Sequence, residues 1–353
     1  MLVWLEQQPD AIWALRYTPA GGWASLVRLD RGFEEYTVSA PDVAMDDRGR
    51  AIATWRRSSE GGSVVAARFT PEAGWSASER LDEPSSGWGY ETQIAMNARG
   101  EAIAVWKGDD NTSRRVFANR FTPEAGWGTS GRIDNASDTF IEAPLRVAID
   151  SRGTGIVVWH QESGGDPWIS RITANWYVPG AGWEGAAPIE GGDASYSYLP
   201  DVAMTPDGVA FVVWLRSGEE GGIFAMRHMP DDGWGEEATV FEYPFTGTDT
   251  VPRVAASAAG EALAVWRAFD SEDAVWSSHF APSIGWDAAA KLNNPFGSST
   301  EAQVGMDAEG DGIAVWSQSP ASGSFCYASH YVADASSKAP RANYPNGVLT
   351  AWN

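Results

Sequence analysis

Aromatic rings beside carboxylates and amides are the side chains of this sequence with the most to offer a ligand. They recur in short segments a repeat apart: Phe33 and Tyr36, Trp88 and Tyr90, Phe140, Tyr196 and Tyr198, Phe245, and Phe296. Acids and amides gather in a second set of segments, at Glu60, Asp109 and Asp110, Gln161 and Asp166, Glu219 and Glu220, and Asp270 and Asp273. A pyranose can stack its C–H face on a ring while its hydroxyls donate to such oxygens. The same mixture serves protein interfaces, where Tyr and Trp are enriched. It also serves a plain structural end, when rings tuck under their own loops and seal a rim. One segment stands apart. HQESGGDPWIS, residues 160–170, is longer than its counterparts and carries His160, Asp166 and Trp168. An insertion in one copy breaks symmetry, as a unique site must, so this segment is the best single candidate.

Catalytic chemistry finds less support. No HExxH, P-loop or GxSxG pattern occurs. The histidines are His160, His228, His279 and His330, and their spacing does not make a metal site. A glycosidase would need two facing carboxylates. Asp42 and Asp201 are the only acids expected on inner strands outside a turn position. The acidic loops could hold calcium, since hard cations take oxygen ligands, but no EF-hand-like loop supports it. Metal binding stays open, and no other cofactor is implied.

The elements that must position these residues form a repeat. FTPEAGW occurs at 69–75 and again at 121–127. One tryptophan column runs through Trp4, Trp55, Trp106, Trp159, Trp214, Trp266, Trp316 and Trp352, with gaps of 51, 51, 53, 55, 52, 50 and 36 residues. A second, in the GW of the quoted stretch, is Trp23, Trp75, Trp127, Trp183, Trp234 and Trp286. Each unit reads as four strands. DVAMD is short and small. DDRG turns the chain, the acid accepting from its own backbone and Gly supplying positive φ. AIATW is a continuous apolar run, as expected of a strand covered on both faces. VVAARF alternates more, TPEAGW turns again, and ASERLD is the most polar. No segment shows a helical apolar period.

Four antiparallel strands in roughly 50 residues, grading from small to polar, make a β-propeller blade. The sequence resembles bacterial tandem-repeat propellers with tryptophan-bearing blades, through D-x-x-G followed by an apolar strand ending in Trp. It departs from the Asp-box of sialidases and from the tryptophan-aspartate repeat signature. The expectation is a single all-β domain over 1–353 with seven blades: 1–30 joined to 339–353, then 41–82, 91–134, 143–190, 199–242, 251–293 and 301–333. N- and C-terminal strands would share the closing blade. Trp4 and Trp352 compete for one position there, so either MLVWLEQ pairs elsewhere, as the missing fourth strand of the 301–333 blade, or the alternatives are eight blades and an open array.

A basic column follows the third strand at Arg16, Arg68, Arg120, Arg227, His279 and His330, with Trp176 in one copy. Its repetition points to blade-to-blade salt bridges. Asp46, Asp150 and Asp307 belong to the first turn. Both regular turns lie on one face and read as scaffolding. The variable segments lie on the other, the usual binding surface of a repeat fold.

A net charge of −22 repels nucleic acid and anionic membranes. No apolar run is long enough for a membrane span. One cysteine, Cys326, allows no intramolecular disulfide. The start falls inside a repeat, which fits a piece of a longer, exported or cell-surface protein. The sequence thus points to a non-catalytic module, lectin-like or adhesive. A protein-interaction scaffold and a glycan-active enzyme with central carboxylates are the alternatives, and oligomeric state is not legible.

Overall fold

The computed structural model describes residues 1–7, 10–32, 36–58, 62–82, 88–109, 113–135, 139–163, 169–191, 196–243, 250–270, 272–292, 298–299, 302–319 and 325–332. These residues are all-β and contain no helix. Seven blade-like antiparallel sheets follow one another along the described chain. Contacts divide the chain into two compact units, Met1–Trp168 with Thr173–Pro188, and Ile169–Ile172 with Ile189–Asn353.

The second sheet shows the plan. Val38–Met45 pairs with Ala51–Arg57, which pairs with Ser63–Thr70, which pairs with Glu79–Arg80. Gly74–Trp75 folds back on the end of the third strand, placing Trp75 opposite Phe69. The turn glycines Gly49 and Gly74 have φ of 77° and 73°, the left-handed region where glycine is unstrained. The expected turn acceptor is present in every described copy: Asp46, Asn97, Asp150 and Asp307 accept backbone N–H bonds through Oδ1, and Thr205 and Ser257 do so through Oγ.

Second-strand tryptophans are wedges between sheets. Trp55, Trp106, Trp159, Trp214 and Trp266 are fully buried. Trp106 of the third sheet packs with Ile52, Val64, Ala66 and Leu81 of the second. Trp159 packs in the same way with Ile103, Val105, Val116 and Ile133. In the other unit Trp266 packs with Phe211, Val213, Ile223 and Val240.

A second repeated device was hidden in the polar fourth strand. In RLD and RID, the acid is buried and the arginine two residues earlier clamps it. Asp82 accepts Arg80 Nε and Nη2 at 2.9 and 3.0 Å and the Val64 backbone N–H at 3.0 Å. Asp30 and Asp134 do the same with Arg28 and Arg132 and with the backbone of Ile12 and Val116. Glu190 takes the place in the fourth sheet's edge, accepting from Ile172 N–H and from Arg216. A two-residue fourth strand is thus held by a carboxylate as much as by its ladder.

Two expectations need correction. First strands are longer than DVAMD. Val38–Met45, Trp88–Met96, Thr139–Ile149 and Ser197–Met204 run back across a register shift. At three of these bulges a non-glycine residue is left-handed: Ala40 at 49°, Glu91 at 45° and Leu199 at 54°. Such a residue costs on the order of 1–2 kcal/mol. At Ala40 its freed carbonyl accepts Thr92 Oγ1 of the next sheet at 2.9 Å. Second, the last sheet's Gly312–Ser319 is not covered on both faces: Ile313 and Val315 are exposed. Leu2–Glu6 pairs with Ala11–Leu15, which gives Trp4 the second-strand position read for it, opposite Trp13. Residues 339–353, expected to complete that sheet, lie outside the described residues.

Both devices make predictions for unfolding in urea. Trp106→Ala is expected to cost about 3–5 kcal/mol, as large-to-small core changes do. Asp82→Ala is expected to cost about 2–3 kcal/mol, because a buried N–H and a guanidinium lose their acceptor. A loss below about 1 kcal/mol in either would contradict the assigned role.

Candidate functional site

The variable-segment face carries some of the expected residues on strands, not loops. Tyr90 lies on Trp88–Met96 and is exposed, with the Arg56 guanidinium 5.4 Å from its ring centre. Tyr36 is exposed just ahead of Val38, with Arg57 at 5.8 Å. Tyr196 is exposed and bridges to Ser170. Tyr198 is half-buried on Ser197–Met204. Trp88 and Phe140 have strand backbone, opposite Asp109 and Glu162. Their side chains, and Phe33, Asp166, Trp168, Phe245 and Phe296 altogether, lie outside the described residues.

His160 lies on a strand and not in a loop. It follows Trp159 on the second strand and is buried. Burial, with the Lys107 charge adding to it, pushes its imidazole down to about 4. Lys107 is itself buried and pairs with Glu91 at 3.0 Å. The two inner-strand acids are also committed to structure. Asp42 Oδ2 accepts the Ile94 N–H at 2.8 Å, and Asp201 Oδ2 accepts the Val254 N–H at 2.9 Å. Each ties one inner strand to the next. Burial raises the Asp42 carboxyl against the opposing pull of that bond. Among the described residues no group of three or more His, Cys, Asp or Glu could hold a metal.

The well-formed cavity lies on the opposite face, the one with the regular turns. It opens between the second and third sheets and holds about 330 Å³. Phe69, Trp75, Phe121 and Met96 supply its apolar wall, and Arg50, Arg68, Thr70 and Ser76 its polar atoms. Phe69 and Trp75 meet at 5.5 Å between centres with their planes 59° apart. Arg68 lies over the Phe121 ring at 5.4 Å and reaches Glu79 at 3.3 Å. Arg50 donates from Nε to Asp46 at 2.6 Å and from Nη2 to the Arg99 carbonyl at 2.8 Å. Ser76 Oγ accepts the Arg68 N–H and donates to the Ala77 carbonyl.

The basic column is structural as expected, yet its link from sheet to sheet is different. The cation of one sheet lies over the aromatic residue of the next: Arg16 over Phe69, Arg68 over Phe121, Arg120 over Tyr177 and, in the other unit, Arg227 over Phe280. His279 stacks on Tyr331 at 4.6 Å. The ion pairs of the column are made within a sheet, as Arg120 with Glu101 at 2.8 Å. A guanidinium on a ring face contributes on the order of 1 kcal/mol. The GW tryptophan, read from sequence as a structural cap, pairs with that same aromatic residue in every described copy, and at Trp75 it also lines the cavity. Arg50 escaped the sequence reading. Its signal is the position four residues after the turn acceptor, where Arg50, Glu101, Thr154, Val209, Glu261 and Asp311 stand.

The state of His160 gives a direct prediction. Its folded value lies below its ordinary 6.5, so the unfolded chain binds the extra proton first. Its contribution to stability is intact above about pH 6.5 and declines as pH falls toward 4. His160→Gln is expected to flatten the fall of stability in that window, and the wild-type imidazole to titrate near pH 4 by NMR. Titration near 6.5 would contradict the buried placement.

No protein-family model matches the chain, and no curated protein does. Solved structures do resemble it. The BP39L lectin from Burkholderia pseudomallei matches with a TM-score of 0.58 at 12% identity, over 92% of each chain. A protein of unknown function from Dyadobacter fermentans matches with a TM-score of 0.54 at 11% identity, over 83% of this chain and 93% of that one. At such identities the likeness is one of fold, and it places the chain with these blade-built, all-β structures.

Proposed function

We propose that this protein is a non-catalytic carbohydrate-binding module. The observation that carries the reading is the cavity between the second and third sheets, where Trp75, Phe69 and Phe121 stand beside two guanidinium groups. A preformed concave site with apolar walls and a few placed donors is the ordinary form of a small-ligand site. Rings suit the C–H face of a sugar, and the arginines suit its oxygens. The fold likeness to a lectin agrees with this reading. The enzymatic alternative loses its proposed acids, since Asp42 and Asp201 each hold a backbone N–H. The exposed Tyr36 and Tyr90 offer a second surface on the other face, suited to a broader protein or glycan contact.

A glycan array read in calcium and again in chelator tests the proposal. Binding to one sugar class is expected, and chelator is expected to leave it unchanged, because among the described residues no carboxylate lines the cavity. Trp75→Ala is expected to weaken it about tenfold or more, the equivalent of ~1.4 kcal/mol, while Tyr90→Ala leaves it intact. A folded protein blank on the array would reject the carbohydrate reading. Loss on Tyr90→Ala alone would move the site to the other face and favour the variable segments.

A further inference from the structure

The cavity differs in charge from the copies of the repeat that carry an acid at one position. Four residues after the turn acceptor, the third sheet has Glu101, which bonds Arg120 Nη2 at 2.8 Å. In the other unit Glu261 stands at the same position, 3.7 Å from His279. Acid at this position therefore meets the base of the third strand. The second sheet places Arg50 there, in the same sheet edge as Arg68, since Ile52 is the register partner of Arg68 just as Ile103 is of Arg120. Two cations thus stand where the third sheet holds the Glu101–Arg120 pair.

Local groups satisfy these cations only in part. Arg50 uses Nε and Nη2, on Asp46 and the Arg99 carbonyl. Arg68 uses Nε, in a half-exposed pair with Glu79. Among the described residues Arg50 Nη1 and both Nη atoms of Arg68 have no hydrogen-bond acceptor. The seat of Arg50 is built. A Cβ on Gly100 would lie 2.4 Å from Arg50 Nη2, so the next sheet's turn leaves room for the guanidinium. At the following gap Gly153 leaves the same room for Glu101, 2.7 Å from its would-be Cβ. Each guanidinium has one carboxylate beside it, Asp46 for Arg50 and Glu79 for Arg68, and both keep N–H donors for a further acceptor in the cavity they line. Guanidinium forks suit a planar carboxylate better than any neutral oxygen.

We propose that the cavity selects an acidic sugar, its carboxylate taken by Arg50 and Arg68 and its ring lying against Trp75. This rests on the carbohydrate reading and names the substrate class. A net charge of −22 opposes long-range attraction of anions, so the preference comes from these two side chains at contact range.

Calorimetry with oligogalacturonate and with its neutral counterpart, galacto-oligosaccharide, tests it, with inorganic sulfate as a third titrant. The acidic oligomer is expected to bind at least about tenfold more tightly than the neutral one, the scale of one charge-assisted hydrogen bond. Arg50→Glu, which reverses the charge, is expected to bring the ratio to about one, with a lowered melting temperature because buried Asp46 loses its partner. Arg50→Gln is expected to fall between, and serves if the first variant misfolds. Equal binding of the two oligomers overturns the inference and leaves the carbohydrate reading standing. An unchanged ratio in both arginine variants overturns it too. Sulfate binding as tightly as the oligomer would mean a bare anion site, and silence of all three titrants would overturn both proposals.

Discussion

The structure depends on one packing constraint: no sheet can bury its second-strand tryptophan by itself. Trp106 needs Ile52, Val64 and Leu81 of the sheet before it, and Trp159 needs Ile103 and Val116. Burial of such a ring removes on the order of 150–250 Å² from water, so the gain arises between repeats and not within them. The apolar character of AIATW and AIAVW on both faces follows directly. So do the small residues of the first strands, which leave room for that contact.

Because the wedge comes from the neighbour, each sheet must present a fixed edge to it. Three polar devices fix the edge. The turn acceptors Asp46, Asn97 and Asp150 set the first hairpin. The clamped carboxylates of Asp30, Asp82 and Asp134 hold the short fourth strand. The cations of the third strand lie on the next sheet's ring. None of these devices needs a unique residue, so a unique site arises where one copy departs. Arg50, the one cation in a column of Glu, Thr, Val and Asp, is such a departure, and it lines the cavity.

Much of this was legible in the sequence. The tryptophan columns, both turns and the four-strand grading give the sheets directly, since side-chain period and turn chemistry are local properties. The bulges were not legible, because Ala40, Glu91 and Leu199 are not residues whose propensity asks for a left-handed backbone; neighbouring sheets impose it. For the same reason Tyr90 and Tyr198, read as loop residues, lie on strands. His160 looked like a ligand because it is polar and sits in the individual segment, yet it follows a buried tryptophan on a covered strand. The clamp in RLD spans two strands, and the cavity is made by two sheets. Neither is visible until repeats are stacked. Arg50 could have been found by comparing signs down its column.

Ligand binding as proposed falls on the face of regular turns, at Trp75, and not on the face of variable segments. Tryptophan indole N–H resonances, assigned by Trp75→Phe, Trp88→Phe and Trp168→Phe and followed during titration with the best sugar of the array, test this most directly. The account predicts that the Trp75 resonance shifts in a saturable way while those of Trp88 and Trp168 stay fixed. Saturable shifts at Trp88 or Trp168 with Trp75 unmoved would contradict it.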